Sequence, residues 1–246
     1  MLGSSAAAAA GAYAGLVSFY EASGIRSDGS WADAAGGLPP GSVAVNPQAT
    51  SSSDIAAAIT FPAYQAAGTG GLSASCPSPL PYLRGTAYAQ VTLPVSITSF
   101  PYSVCVTSRL EPTGGGARVL GGAGTTNWLL GHYSGARGRA YLVNGWATSQ
   151  SAVYQGANTD WTVHCVSAPN ASAAVVYMNG ADISSGDGGA FAVPTSLAVN
   201  VMGQNSAFGL RSVAVWNVAL SPSQLFAVSA QMMADSCIDG AARARG

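Results

Sequence analysis

The residues able to carry covalent, metal or acid–base chemistry in this 246-residue chain are few: four cysteines, two histidines and ten carboxylates. Cys76, Cys105, Cys165 and Cys237 form no C-x-x-C pair, and His132 and His164 are the only imidazoles. That spacing does not assemble a zinc site. An even cysteine count fits two disulfides in an oxidising compartment. Four small buried thiols, packing as ordinary hydrophobes, fit the count equally well. Glycoside hydrolysis needs two carboxyl groups about 5–10 Å apart. Here Glu21 and Glu111 stand alone, and Asp28, Asp33, Asp54, Asp160, Asp182, Asp187, Asp235 and Asp239 are scattered, mostly through loops. A serine triad needs a histidine oriented by an acid. His164 reads as a structural mid-strand residue and His132 as a surface or hydrogen-bonded one beside a turn. The glycine-rich stretches lack the lysine and strand-to-helix context of a phosphate loop. These residues predict no catalysis.

Binding is the other chemistry available, because aromatic rings stack on sugars and pack at interfaces. Trp161 and Trp216 fall within strand patterns and are expected in the core. Trp128 and Trp146 flank the segment His132–Arg139 and are expected to be exposed. Trp128, His132, Tyr133, Arg137, Arg139 and Trp146 therefore form the candidate ligand surface. Asn170-Ala171-Ser172 is an N-glycosylation sequon placed in a turn.

The elements that must position these residues are short. The chain is 48% hydrophobic but only 8% charged, against about 25% charged in a typical soluble domain. Its nine basic residues are all arginine, spread from Arg26 to Arg245, and the net charge is −1. No basic stripe for nucleic acid results. No apolar run reaches the roughly 18 residues that span a bilayer. Gly (31) and Pro (13) punctuate runs rich in Val, Thr, Tyr and Phe, which read as strands. The strand candidates are 15–21, 87–93, 102–110, 128–132, 139–144, 161–167, 173–178, 197–202 and 210–216. Asn144-Gly145 and Asn179-Gly180 read as hairpin turns. One helix is expected after Ser221, with Pro222 at its first position and Gln224 completing a capping box. Residues 36–85 read as irregular, with one or two edge strands near 57–61. The expected organisation is a small-residue tail (1–14), a single domain (15–236) and a C-terminal tail (237–246). A trimmed or atypical signal peptide is the alternative for the first segment. Many short strands and one late helix make an all-β sandwich or jelly roll.

Three segments carry a resemblance. Tyr102–Thr107, Trp161–Val166 with Val175–Gly180, and Phe208–Pro222 resemble, in order and spacing, the laminin-G-like domains of the concanavalin A-like lectin/glucanase jelly-roll superfamily, the fold shared with pentraxins. More loosely, Leu16–Tyr20 with Trp31-Ala32-Asp33 resembles the opening of such domains. The runs Asn127–His132 and Asn144-Gly145-Trp146 are similar to a variant met in uncharacterised proteins of large DNA viruses and algae. The resemblance implies two antiparallel sheets and a Cys105–Cys165 disulfide, as in pentraxins. Cys76 and Cys237 would then join the irregular first half to the tail. It implies calcium as the usual cofactor. The loop Met202–Phe208 departs from the pentraxin pattern by lacking carboxylates, leaving Asp182, Asp187 and Asn205 as weak candidate ligands. The E-x-D-x-x-E pattern of the superfamily's hydrolases is missing, so a glycoside hydrolase is a remote reading. The expected function is non-catalytic recognition of a glycan or protein surface, in a secreted, lumenal or virion-surface setting. The alternative is a structural subunit of a large homo- or hetero-oligomeric assembly, such as a virion layer.

Overall fold

A computed structural model describes residues 15–25, 30–33, 41–45, 59–76, 79–112, 116–123, 126–154, 156–185, 189–200 and 206–239. In chain order the strands are β1 (Leu16–Ile25), β2 (Ser30–Asp33), β3 (Gly41–Val45), β4 (Ile59–Gln65), β5 (Leu80–Gly85), β6 (Ala89–Ile97), β7 (Tyr102–Leu110) and β8 (Leu120–Gly122). They continue as β9 (Trp128–Tyr133), β10 (Ala136–Leu142), β11 (Thr162–Asn170), β12 (Ala173–Met178), β13 (Ala181–Asp182), β14 (Thr195–Val199) and β15 (Phe208–Trp216). Helix α1 spans Pro222–Asp235. The protein is a β-sandwich of two sheets with this C-terminal helix, as the residue pattern predicts.

Every pairing between the described strands is antiparallel. The ladder runs β10-β9-β8-β14-β6-β3, turns through β2, and continues β1-β15-β7-β11-β12-β13. Side chains alternate across each strand, and that alternation builds two cores. Leu93, Leu120 and Leu130 of one sheet meet Val106, Val166 and Val213 of the other. On the far side of the second sheet, Phe19, Cys105, Cys165, Ala214 and Trp216 pack against Leu225, Val228 and Met232 of α1. Each fully buried Val or Leu contributes about 1.5–3 kcal/mol. The helix begins where expected: Ser221 Oγ accepts from Gln224 N, and Gln224 Oε1 accepts from Ser221 N.

Four differences from the sequence reading have local causes. β6 runs on to Ile97 through Pro94, because a register shift against β14 spares the missing N–H. The "irregular" stretch contains β3, β4 and β5; β3 pairs β6 and β5 pairs β15, so its strands extend both sheets. The proposed C-terminal tail is part of the fold as far as Asp239: Ile238 is buried against Leu72, and Asp239 N donates to Gly71 O. At the first hairpin dipeptide, the residue with positive φ is Val143 (69°), ahead of Asn144-Gly145, whereas Asn179 and Gly180 both take positive φ. Residues 1–14 lie outside the described residues.

Both disulfides form. Cys105 and Cys165 are directly paired in the β7–β11 register, with Cα atoms 4.1 Å apart. Cys76–Cys237, at 5.6 Å, ties the segment between β4 and β5 to the residues that follow α1. Two disulfides fit an oxidising compartment. Among the described residues no helix is long and apolar enough to cross a membrane. Closing a span of 60 residues stabilises by about 4 kcal/mol in the chain-entropy account. The paired substitution Cys105→Ala/Cys165→Ala is expected to lower the unfolding free energy by about that amount in denaturant titrations. A loss under about 1 kcal/mol would mean that packing alone holds β7 to β11.

Candidate functional site

The hairpin β9–β10 carries the candidate surface. Its inward residues are Trp128, Leu130 and His132 from β9, and Leu142 and Ala140 from β10. Its outward residues include Tyr133 and Tyr141. After β10 the chain turns at Val143, and Trp146 folds back to bridge Tyr141. Trp146 lies 5.1 Å from the Tyr141 ring and 5.8 Å from the Tyr133 ring, tilted against both. All three rings are half-buried, so each keeps an edge or face toward solvent. The guanidinium of Arg118 lies 5.9 Å from the Tyr133 ring centre. It donates to Trp128 O and Asn127 Oδ1, which anchors it against β9.

The loop after Trp146 is clamped to the hairpin. Arg139 donates to Ser149 O and Ala152 O, and Thr148 Oγ1 accepts from Ala140 N. Tyr154 packs against Gly138, where a Cβ would come within 2.3 Å of its ring and where φ is +74°. Only glycine suits both demands. A β-branched residue at positive φ is rare and costs about 1–3 kcal/mol. Val143, at 69°, is therefore held by its surroundings in the turn that presents Trp146.

Behind the hairpin, the sandwich interior ends in polar groups. Ser108, Thr162, His164 and His132 all point inward at this end and are buried. His132 and His164 meet edge to face at 5.3 Å. Gly138 N donates to His164 Nε2, so His164 Nδ1 carries the proton toward Thr162 Oγ1. Burial, with the nearby Arg137 charge, lowers His132 to about 3. Burial, His132 and Arg137 hold His164 well below the usual histidine range. Arg137 reaches Ala157 O and lies 4.0 Å from Asp160 Oδ2. Burial depresses its guanidinium while Asp160 supports it.

These placements correct the sequence-derived surface. Trp128 is fully buried rather than exposed, because its β9 position faces the sandwich interior; its Nε1 donates to Tyr102 Oη at 3.1 Å. The Tyr102 hydroxyl is pushed up to about 12 by burial. His132 is equally buried, and Arg137 and Arg139 lie beneath the loop that follows Trp146. Of the six candidates, the structure brings only Tyr133 and Trp146 together with solvent access. Tyr141 completes the group. Its signal was strand alternation: Tyr141 stands between the buried Ala140 and Leu142 on β10. Trp161 and Trp216 are core residues, as expected. The Trp31 side chain lies outside the described residues.

The remaining candidates do not gather. Asp182 is exposed, and its Oδ1 accepts from both Ser184 N and Ser184 Oγ. Among the described residues, no group of three or more His, Cys, Asp or Glu could hold a metal ion. Calcium takes six to eight oxygens, and Asp182 with its described neighbours does not fit that need. Asp187 and Asn205 lie outside the described residues. Asn170 is exposed at the β11–β12 turn. Sequence reasoning also missed a paired acid: Glu111, buried, meets Arg109 at 2.6 Å and Arg84 at 3.2 Å. The Arg109 guanidinium lies over both the Tyr82 and Trp161 rings, 4.9 and 5.2 Å from their centres, and those rings meet edge to face.

No family model matches the chain, and no curated protein matches it by sequence. Solved structures do share its fold. Domain 4 of AbnA, a GH43 extracellular arabinanase from Geobacillus stearothermophilus in complex with arabinotriose, is 18% identical with a TM-score of 0.55. That match covers 87% of this chain and 98% of the domain. Trypanosoma rangeli sialidase in complex with sialic acid is 13% identical with a TM-score of 0.55, over 92% of this chain. This chain spans only 34% of the sialidase. The binding domain of Paraclostridial Mosquitocidal Protein 1 is 11% identical with a TM-score of 0.50, over 86% of this chain and 51% of that one.

The buried histidines set a pH dependence. Both are neutral when folded and have lowered values, while the unfolded chain binds protons below about pH 6.5. Their contribution to stability is therefore complete above about pH 6.5 and is lost as the pH falls from there, for His132 down to about 3. Each histidine is expected to add about 1.4 kcal/mol per pH unit to that slope. Urea unfolding at stepped pH checks this, and His132→Gln should flatten the slope. An unchanged slope in the variant would place the titrating group elsewhere.

Proposed function

We propose that this protein is a non-catalytic recognition module that binds glycan on the outer face of the β9–β10 hairpin. The observation that carries the reading is the half-exposed trio Tyr133, Tyr141 and Trp146. Rings tilted against one another offer several stacking faces to a sugar chain. Their hairpin is stiffened from behind by Arg118, Arg139 and the apolar core, so little ordering is needed on binding. Among structures of this fold, the AbnA domain was solved with arabinotriose and the sialidase with sialic acid, which supports sugars as the ligand class. The non-catalytic part draws on the acids: Glu111, Glu21 and Asp160 each face an arginine. Among the described residues, no free carboxylate pair is offered for acid and base work. The finer assignment to a laminin-G-like domain rests on the segments Tyr102–Thr107, Trp161–Val166 with Val175–Gly180, and Phe208–Pro222, and that to the variant met in large DNA viruses and algae rests on Asn127–His132 with Asn144-Gly145-Trp146. The binding surface proposed here needs no calcium.

A second reading, a subunit of a larger assembly, draws on three exposed apolar residues: Tyr64 (63%) on the edge strand β4, Val153 (94%) and Phe226 (43%). Sedimentation over a concentration series separates a monomer from such a subunit.

A glycan array of the oxidised protein, run with calcium and with chelator, tests the first reading. Binding that survives chelation and falls about tenfold in Trp146→Ala and Tyr141→Ala is expected, with Phe226→Ala on the distant helix unchanged. A blank array in both conditions would overturn the recognition role.

A further inference from the structure

We propose that Asn170 is an N-glycosylation acceptor, and that its glycan stands at the same end of the sandwich as the turn that presents Trp146. The sequon Asn170-Ala171-Ser172 alone would be a weak signal. The structure adds three observations. First, all three residues are exposed, together with Pro169 and Ala173 on either side, so the whole turn projects from the β11–β12 hairpin. A bulky polar addition there displaces no packed atom. Second, Asn170 Oδ1 accepts from both Ser172 N and Ser172 Oγ at 2.9 Å. The amide is thus oriented by its sequon serine, and Nδ2 takes no partner among the described residues. Third, two disulfides fit the oxidising compartment in which this modification takes place.

The location follows from one connecting segment. Phe191 N donates to Ala171 O, and Ala192 N donates to Leu142 O. A Cβ on Gly189 would fall 2.7 Å from Gly145 Cα. Residues 189–192 therefore join the sequon turn to the 142–146 turn. In the transfer itself, Asn170 Nδ2 forms a bond to the anomeric carbon of a lipid-diphosphate-linked oligosaccharide. The bond from that carbon to the diphosphate oxygen breaks with its electron pair, and the amide gives up one proton. No oxidant or reductant is required.

The test is expression through a eukaryotic secretory pathway, reading intact mass from the lumenal fraction before and after a peptide-N-glycosidase that leaves aspartate at the modified position. The wild type is expected to carry glycan mass that the enzyme removes, with aspartate at position 170. Asn170→Gln and Ser172→Ala should lose the glycan while keeping both disulfides and the wild-type melting temperature, and Ser172→Thr should retain it. Unmodified wild-type protein with both disulfides formed would overturn the assignment, as would glycan that persists in Asn170→Gln.

Discussion

The strand β7 is covered on both faces, and the rest of the molecule is arranged around those two coverings. All nine of its residues are buried. Val104 and Val106 need the opposing sheet, while Cys105 on the other face needs the layer under α1. A strand in this position cannot solvate either side, so both neighbours must register with it. On β15, Val213 and Val215 follow the inner face and Ala214 and Trp216 the outer one. On β11, Cys165 stands directly opposite Cys105 and completes a covalent tie across the ladder. The start of β7 also steers the helix: Ser103 Oγ donates to Val218 O and accepts from Leu220 N, which delivers Ser221 to its capping position.

The far end of the same strand explains the polar interior. The inward positions pass from Val104 and Val106 to Ser108, and across the ladder from Val166 to His164 and Thr162. At this end the two sheets meet through hydrogen bonds and neutral imidazoles instead of aliphatic packing. Burial and the nearby Arg137 charge keep both imidazoles neutral; the β-bulge at Gly138 supplies a donor to His164, while His132 Nε2 is buried without a partner among the described residues. The bulge therefore has two consequences: it completes the polar interior, and it opens the bed on which Tyr154 lies. Tyr154 and Arg139 together hold the loop that follows Trp146, so the outer aromatic face depends on the inner polar end.

The sequence by itself determined the nine strands β1, β6, β7, β9, β10, β11, β12, β14 and β15, the capping box of α1 and the class of fold, because these are set by local period and turn chemistry, whereas β2, β3, β5, β8 and β13 were not legible in it. Alternating apolar residues reappear as alternating burial in β12, where Val176 and Met178 face the sandwich and Val175 and Tyr177 face outward. The resemblance to pentraxins identified the Cys105–Cys165 pair, and Cys76–Cys237 followed with it. Only the tertiary structure decided which of the binding candidates reach solvent. Trp128, His132, Tyr133, Arg137, Arg139 and Trp146 are near neighbours in sequence, yet the pleat sends Trp128 and His132 inward and Tyr133 outward. A loop from residues further along covers the two arginines. Composition cannot report which face of a hairpin a second sheet will cover, nor that Trp146 will fold back on Tyr141. Both depend on long-range packing, and that packing turned a cluster read as one surface into a buried polar end with an aromatic face on its outside.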